Sequence, residues 1–292
     1  VAVAIGTVET YHKFGFPIIV WGAVLPDITY RNKFAEVHRV NGTMINQNER
    51  NAELLSSLGY KTFAVIHDTT DYGKGHNKYF SEALAKHGGK IVGTFGVTSD
   101  QQDFSAELTQ IKSLNPQAIY FGGLTPIGVR IRGQMDKLGL NTVLFDGTSG
   151  IKSDSYIDGL GKLAEGSLSF IEGAPTERLP GGKFFLEKYN DQNYPNPPEA
   201  YGGFAFAAMN LILDTIEQVV RDAPDGESRY HLRIEDGHAP WPLPVMLVVN
   251  ESLGSHDVTV QADRAAVKSR VHDESSAVRG PPAPGTRSLL AG

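Results

Sequence analysis

The chain has 292 residues, of which 40% are hydrophobic and 21% charged, with a net charge of −6 and no cysteine. Such a composition belongs to a globular chain long enough for about two domains. It excludes disulfides, thiolate metal sites and a cysteine nucleophile, and its acidic balance argues against a nucleic-acid partner. No apolar run reaches the length of about 18 residues that a membrane-spanning helix needs.

In chain order, the apolar start Val1-Ala2-Val3-Ala4-Ile5 reads as a strand entered part-way. Pro17-Ile18-Ile19-Val20-Trp21 and residues 35–40 read as strands of one sheet. From Lys61 to Ile171, short β-rich runs alternate with helical patterns. Strands are expected at Thr62–Ile66, Ile91–Val97, Ala118–Phe121, Thr142–Phe145 and Ser167–Ile171. Helices are expected with Phe80 and Leu84 on one face, after a cap at 100–103, over Gly128–Leu138 and over Asp154–Leu160. This alternation predicts right-handed crossovers and an α/β fold, its parallel sheet flanked by helices.

Further on, Pro180-Gly181-Gly182 opens a helix carrying Phe185 and Tyr189, and a long apolar helix is expected over Glu199–Val220. Asp236-Gly237 between two β-rich runs reads as a hairpin signal, and the Gly/Pro-rich stretch 280–285 as disordered tail. The crossings between lobes are expected near Val40-Asn41 and Gly173-Ala174. That places 1–40 with 173–250 in a first, discontinuous lobe, 41–172 in a second, and 251–292 in a disordered or non-family tail.

Motifs of chemistry are few. Residues 147–153 follow a strand and resemble a phosphate loop, but their glycines stand three apart where a true one needs four intervening residues. Ser149 is not in a Gly-x-Ser-x-Gly elbow. Residues 68–73 suggest a calcium loop, yet Tyr72 stands at a ligand position and no glutamate closes it. No histidine pair has metal spacing. The remaining signal is positional, because ligands of parallel α/β sheets gather at the carboxyl ends of strands. Those ends carry residues 22–26, 68–75, 122–126 and 147–150, with Trp21 and Tyr72 the large aromatics. Each loop alone reads as an ordinary βα turn; four facing one cleft read as a binding site without catalysis.

Several of these stretches resemble the leucine/isoleucine/valine-type periplasmic binding proteins. They include Pro17-Ile18-Ile19-Val20, Gly22-Ala23, Pro26-Asp27-Ile28-Thr29, Val65-Ile66-His67-Asp68 and Tyr72-Gly73-x-Gly75. Asp103-Phe104-Ser105, Tyr120-Phe121-Gly122-Gly123, Gly150-Ile151-Lys152-Ser153-Asp154 and Ala164-Glu165-Gly166 extend the match, in order, from Ala4 to Val220. The resemblance implies a two-lobed type I periplasmic binding protein fold with an incomplete first lobe, since the family's chain begins earlier. It implies a monomeric solute-binding protein that closes on a small molecule and serves a membrane ABC permease, without cofactor or metal. The implied location is periplasmic or extracellular, with lipid anchoring through a preceding segment left open. Alternatives are a ligand-sensing domain of a signalling receptor and an enzyme on a doubly wound fold.

The resemblance also implies where a solute sits: Trp21, Gly22, Ala23 and Val24 in the first lobe, and Tyr72, Leu124, Thr125 and Ser149 in the second. Val24 stands where the family often has threonine, and Leu124 where it has tyrosine. Ser149 replaces an acid that pairs with a ligand ammonium. A buried ammonium without a counter-charge costs several kcal/mol. The expectation is therefore an amide or an apolar or aromatic carboxylate rather than an ordinary α-amino acid.

Overall fold

The runs expected as strands are continuously apolar because both of their faces are covered. The computed structural model describes residues 1–222, 233–235 and 246–248, with side chains described as far as Ile216. It begins with α1 (Ala2–Lys13), β1 (Ile18–Val20), α2 (Asp27–Tyr30), β2 (Val37–Arg39) and α3 (Met44–Ser57). The alternating stretch is β3 (Thr62–Asp68), α4 (Asp71–Lys86), β4 (Lys90–Val97), α5 (Ser105–Leu114), β5 (Ala118–Gly122), α6 (Thr125–Lys137) and β6 (Leu144–Gly147). It continues through α7 (Asp154–Leu160) and β7 (Leu168–Ser169) to α8 (Gly182–Asp191) and α9 (Gly202–Asp222). The strands β8 (Arg233–Glu235) and β9 (Met246–Val248) follow.

The main sheet is all parallel, in the order β4-β3-β5-β6-β7. Successive side chains of a strand point to opposite faces. Accordingly Ala64, Ile66, Ile119 and Phe121 enter one core with Leu108, Ile111, Ile131 and Met135 of α5 and α6. Phe63, Val65, Ala118 and Tyr120 enter the other with Ala52, Leu55, Phe80 and Leu84 of α3 and α4. Burying each large apolar side chain stabilises the fold by about 1.5–3 kcal/mol. The chain winds outward in both directions from β3, so the sheet's order reverses between β3 and β5. At such a switch point the flanking helices diverge and leave a crevice at the strands' carboxyl ends.

A second, two-stranded parallel sheet pairs β1 with β2. Its core is Val20, Ile28 and Val37 together with Val8 of α1. Here the sequence reading is corrected: residues 1–5 are not a strand, since α1 covers Ala2 onward. Ala4, Ile5 and Val8 share one helical face against this small sheet, and that spacing outweighs the β propensity of valine and isoleucine. The helix α3 has no hydrophobic signature in the sequence because its buried face is polar. Met44, Gln47, Asn48, Asn51, Ala52 and Leu55 have helical spacing, but three of the six are amides. Its start is a capping box in which the Thr43 main-chain N–H donates to Asn46 Oδ1 at 3.2 Å. Elsewhere the shifts are small: β6 runs two residues further than expected, and β7 keeps only the middle of its expected span.

The chain divides into two compact units. One is Val1–Tyr189 with Tyr194–Met209 and holds both parallel sheets. The other is Asn190–Asn193 with Asn210–Gly292; within it β8 pairs antiparallel with β9 in the register Ile234↔Leu247. The Asp236-Gly237 turn signal and the tail at 280–285 lie outside the described residues. No helix among the described residues is long and apolar enough to cross a membrane.

Candidate functional site

The loops at the switch point are held open by close main-chain approaches and by side chains that cap them. After β3, Asp68 Oδ1 accepts from the Thr70 N–H at 2.9 Å and the Gly73 N–H at 3.2 Å, and from the Thr70 hydroxyl. The Thr70 hydroxyl in turn accepts from the N–H of Tyr72, at 3.2 Å, as N-cap of α4. Asp68 is thus a cap that aims Tyr72 and not a calcium ligand. A Cβ on Gly73 would lie 2.3 Å from Asp68 O, so only glycine permits the turn this tight. After β5 and β6 the loops touch: a Cβ on Gly150 would lie 2.2 Å from Gly123 O.

These loops line a cavity of about 360 Å3, within the range of small-molecule sites. Its wall is Gly22 and Val24 from the loop after β1, and Thr70, Asp71 and Tyr72 at the start of α4. Leu124 before α6, Ser149 and Gly150 after β6, Tyr201 ahead of α9, and Val1 and Ala2 complete it. A larger hollow of about 590 Å3 runs along β7 between α7 and residues 197–200. It takes only the far part of the loop after β6, Ile151 to Ser153, and nothing from the loops after β1, β3 and β5, so the smaller cavity is the candidate site.

Five of the eight residues singled out in the sequence, Gly22, Val24, Tyr72, Leu124 and Ser149, meet on this wall. Trp21 is not part of this wall and is 47% exposed. Ala23 serves through its carbonyl, which accepts from Arg39 Nη1, while Arg39 Nη2 donates to Leu25 O at 2.8 Å. Thr125 lies behind the wall, where its hydroxyl donates to Gly150 O at 2.7 Å.

Two residues that the sequence reading passed over govern the inner end. Glu172 is 1% exposed. Its Oε1 accepts from the Ser149 hydroxyl at 2.7 Å, and its Oε2 lies 2.8 Å from the Tyr201 phenol, which is 3.0 Å from Ser149 Oγ. The Tyr72 phenol joins this cluster, 2.9 Å from Thr148 Oγ1 and 3.3 Å from Ser149 Oγ, and accepts from the Gly150 N–H at 3.1 Å. Burial raises the Glu172 carboxyl, opposed by its bonds to Ser149 and Tyr201 and by the Arg39 charge. Burial, with the nearby Glu172 charge, pushes the phenols of Tyr72 and Tyr201 up, so both stay protonated at neutral pH. The expectation against an ammonium guest assumed that Ser149 left this end without an acid. The structure corrects that premise, because Glu172 stands directly behind Ser149. The signal was available: Glu172 follows the last expected strand at its carboxyl end, where the other loops were sought.

Beneath the site lies a buried polar layer. Asn48 Nδ2 donates to Met44 O at 2.8 Å and lies 3.1 Å from His76 Nδ1, and its Oδ1 accepts from the Tyr120 hydroxyl at 2.5 Å. Among the described residues no group of three or more histidine, aspartate or glutamate side chains is arranged to hold a metal.

The chain is similar to proteins of known type over most of its described length. The family model described as "Periplasmic binding protein" matches residues 2–230. A Leu/Ile/Val-binding protein homolog of Brucella melitensis is 30% identical over 217 residues, covering 74% of this chain and 58% of that protein. An amino acid binding protein of Pseudomonas aeruginosa is 30% identical over 207 residues, covering 70% and 54% respectively. Among solved structures, a leucine binding protein from Thermotoga maritima superposes with a TM-score of 0.67 at 27% identity, over 74% of this chain and 61% of that one. The chain therefore spans less than two thirds of the length of these relatives. With its doubly wound sheet, its loop-lined cavity and a family match over residues 2–230, this chain belongs to the periplasmic binding protein family.

Proposed function

We propose that this chain is the solute-gripping part of an extracytoplasmic binding protein that delivers a small molecule to a membrane ABC permease. The observation that carries the reading is the meeting of the loop after β1 with the loops after β3, β5 and β6 around one cavity. The solute class is amino-acid-like, with amides and apolar or aromatic carboxylates as close variants. Val24 and Leu124 offer apolar surface, and the starts of α4 and α6 direct helix N-termini to the cavity, which favours a carboxylate. The named ligands of the relatives above point the same way. Binding without bond-breaking fits the protonated phenols, which are neither nucleophiles nor bases at neutral pH.

In this reading residues 41–172 form one lobe, residues 1–40 belong to the other, and the protein acts as a monomer. A guest that touches both lobes favours the closed form over the open one, and the permease reads the closed form. Micromolar affinity corresponds to roughly −8 kcal/mol, enough to shift a hinge biased by a few kcal/mol.

A thermal-shift screen followed by calorimetry tests the proposal, using L-leucine, L-valine, benzamide and benzoate with glucose as an outsider. At a hundred times its Kd a solute stabilises the native state by about 2.7 kcal/mol. At least one of the four is expected to do so, and Val24→Trp is expected to abolish the effect by filling the cavity. Stabilisation that survives Val24→Trp would place the site elsewhere.

A further inference from the structure

Glu172 does not itself line the cavity; it reaches the cavity through two hydroxyls that do, Ser149 and Tyr201. Each hydroxyl has one proton to give and lone pairs with which to accept. When Glu172 is a carboxylate, it can only accept. The protons of Ser149 and Tyr201 then turn inward to Oε1 and Oε2, and the oxygens left facing the cavity offer lone pairs. When Glu172 carries a proton, it must donate to one of these oxygens, which frees a hydroxyl proton to turn towards the cavity.

We propose that Glu172 sets, through Ser149 and Tyr201, the direction of the hydrogen bonds at the inner end of the cleft, so that one proton on Glu172 switches the site from preferring guests that donate there to preferring guests that accept. Glu172 acts here as a positioning and specificity-determining residue, and the inference rests on the reading of the cavity as a solute site.

The neighbours leave Glu172 as the group that changes state. Arg39, at the end of β2, keeps its charge throughout and favours the carboxylate. Tyr72 of α4, Tyr120 of β5 and Tyr201 ahead of α9 are held protonated, chiefly by burial. Asp146 bonds to Asn51 and not to the hydroxyl pair. On the rim, Asp71 faces the cavity and acts on any guest carboxylate.

The test uses two guests of one skeleton, L-leucine and 4-methyl-2-oxopentanoate. At the carbon next to the carboxylate the first only donates and the second only accepts. Both carry the same carboxylate, so the effect of rim charges on that group cancels in the ratio of their affinities, while the constant Asp71 charge acting on the leucine ammonium offsets the ratio without giving it a slope. Neither guest changes its own charge between about pH 5 and 7.5. Calorimetry on the 292-residue chain is expected to show the leucine-to-oxo-acid ratio rising with pH, with a slope approaching tenfold per unit. Glu172→Gln, of nearly unchanged shape, is expected to flatten it. Should that variant not fold, the slope in the unaltered chain decides alone. A ratio that stays constant with pH overturns the switch while leaving solute binding intact; failure of both guests and of the earlier panel to bind at any pH overturns both.

Discussion

Asn51 of α3 donates to Asp146 of β6 across 2.9 Å, and both side chains are completely buried. Desolvation pushes the Asp146 carboxyl up to about 8, with the bond from Asn51 opposing it only in part. The helix and the strand are thus joined by a carboxylic acid that is largely protonated at neutral pH.

The native state therefore holds a proton that the unfolded chain sheds near its ordinary value of 3.8. The stability linked to Asp146 is complete below that value and drains away as pH rises towards 8, by up to about 1.4 kcal/mol per unit. His76 runs the opposite way: burial lowers it from 6.5 to about 3, so its contribution is complete above 6.5 and is lost as pH falls. The two slopes oppose each other below 6.5, and the net decline emerges between 6.5 and about 8. Urea unfolding across that window should show the decline, and Asp146→Asn should remove most of it. An equally steep fall in the variant would contradict the assignment.

Gly73→Ala is expected to destabilise the chain by about 1–3 kcal/mol, because the added methyl would lie 2.3 Å from Asp68 O and 2.6 Å from Asp68 Oδ1. Gly96→Ala, whose nearest neighbour would be 3.6 Å away, should stay within about 0.5 kcal/mol of the unaltered chain. Midpoints of urea unfolding compare the two directly.

Arg39 uses its fork to hold two carbonyls, Ala23 O and Leu25 O, and so shapes the loop after β1. Lysine has a single ammonium and cannot span both. Arg39→Lys is expected to lose stability by about 1.5–3 kcal/mol and to speed hydrogen exchange at the Met44 amide, which donates to Val24 O. Unchanged exchange at Met44 would show that the loop keeps its shape without the fork.

Removing the Tyr72 hydroxyl leaves the ring but deprives the Gly150 N–H of its 3.1 Å acceptor. Tyr72→Phe should cost about 0.5–1.5 kcal/mol in unfolding free energy. It should also weaken whichever guest the screen identifies, since Ser149 loses a neighbour at 3.3 Å. A variant of full stability and full affinity would remove Tyr72 from the site.

The main sheet was legible because its strands are buried on both faces, which writes itself as uninterrupted runs such as Phe63-Ala64-Val65-Ile66. Where burial is polar the signal fails, and α3 is the case in point. Asn48 and Asn51 face inward to meet His76, Tyr120 and Asp146, and no hydrophobic period marks them. The cleft was legible by position, through strand ends and glycines that let loops approach. The stretch Glu172-Gly173-Ala174-Pro175-Thr176 reads in sequence as a crossing between lobes, which hides its carboxylate from a search for site residues. Tyr201 belongs to a helix start some fifty residues beyond Ser149 in sequence, so only the folded chain brings the two together.

The close pass between Gly42 and Glu172 has a mechanical meaning. The Gly42 N–H donates to Glu172 O at 2.9 Å, and any larger residue at 42 would drive a Cβ to within 2.3 Å of that oxygen. Two stretches of backbone bonded this tightly can bend side by side, but one cannot slide along the other. Glu172 moreover offers its carbonyl to that strap and its carboxylate to the cleft. Under the proposed function, a guest that turned Glu172 would pull, over the length of one residue, on the place where the chain passes from one sheet to the next.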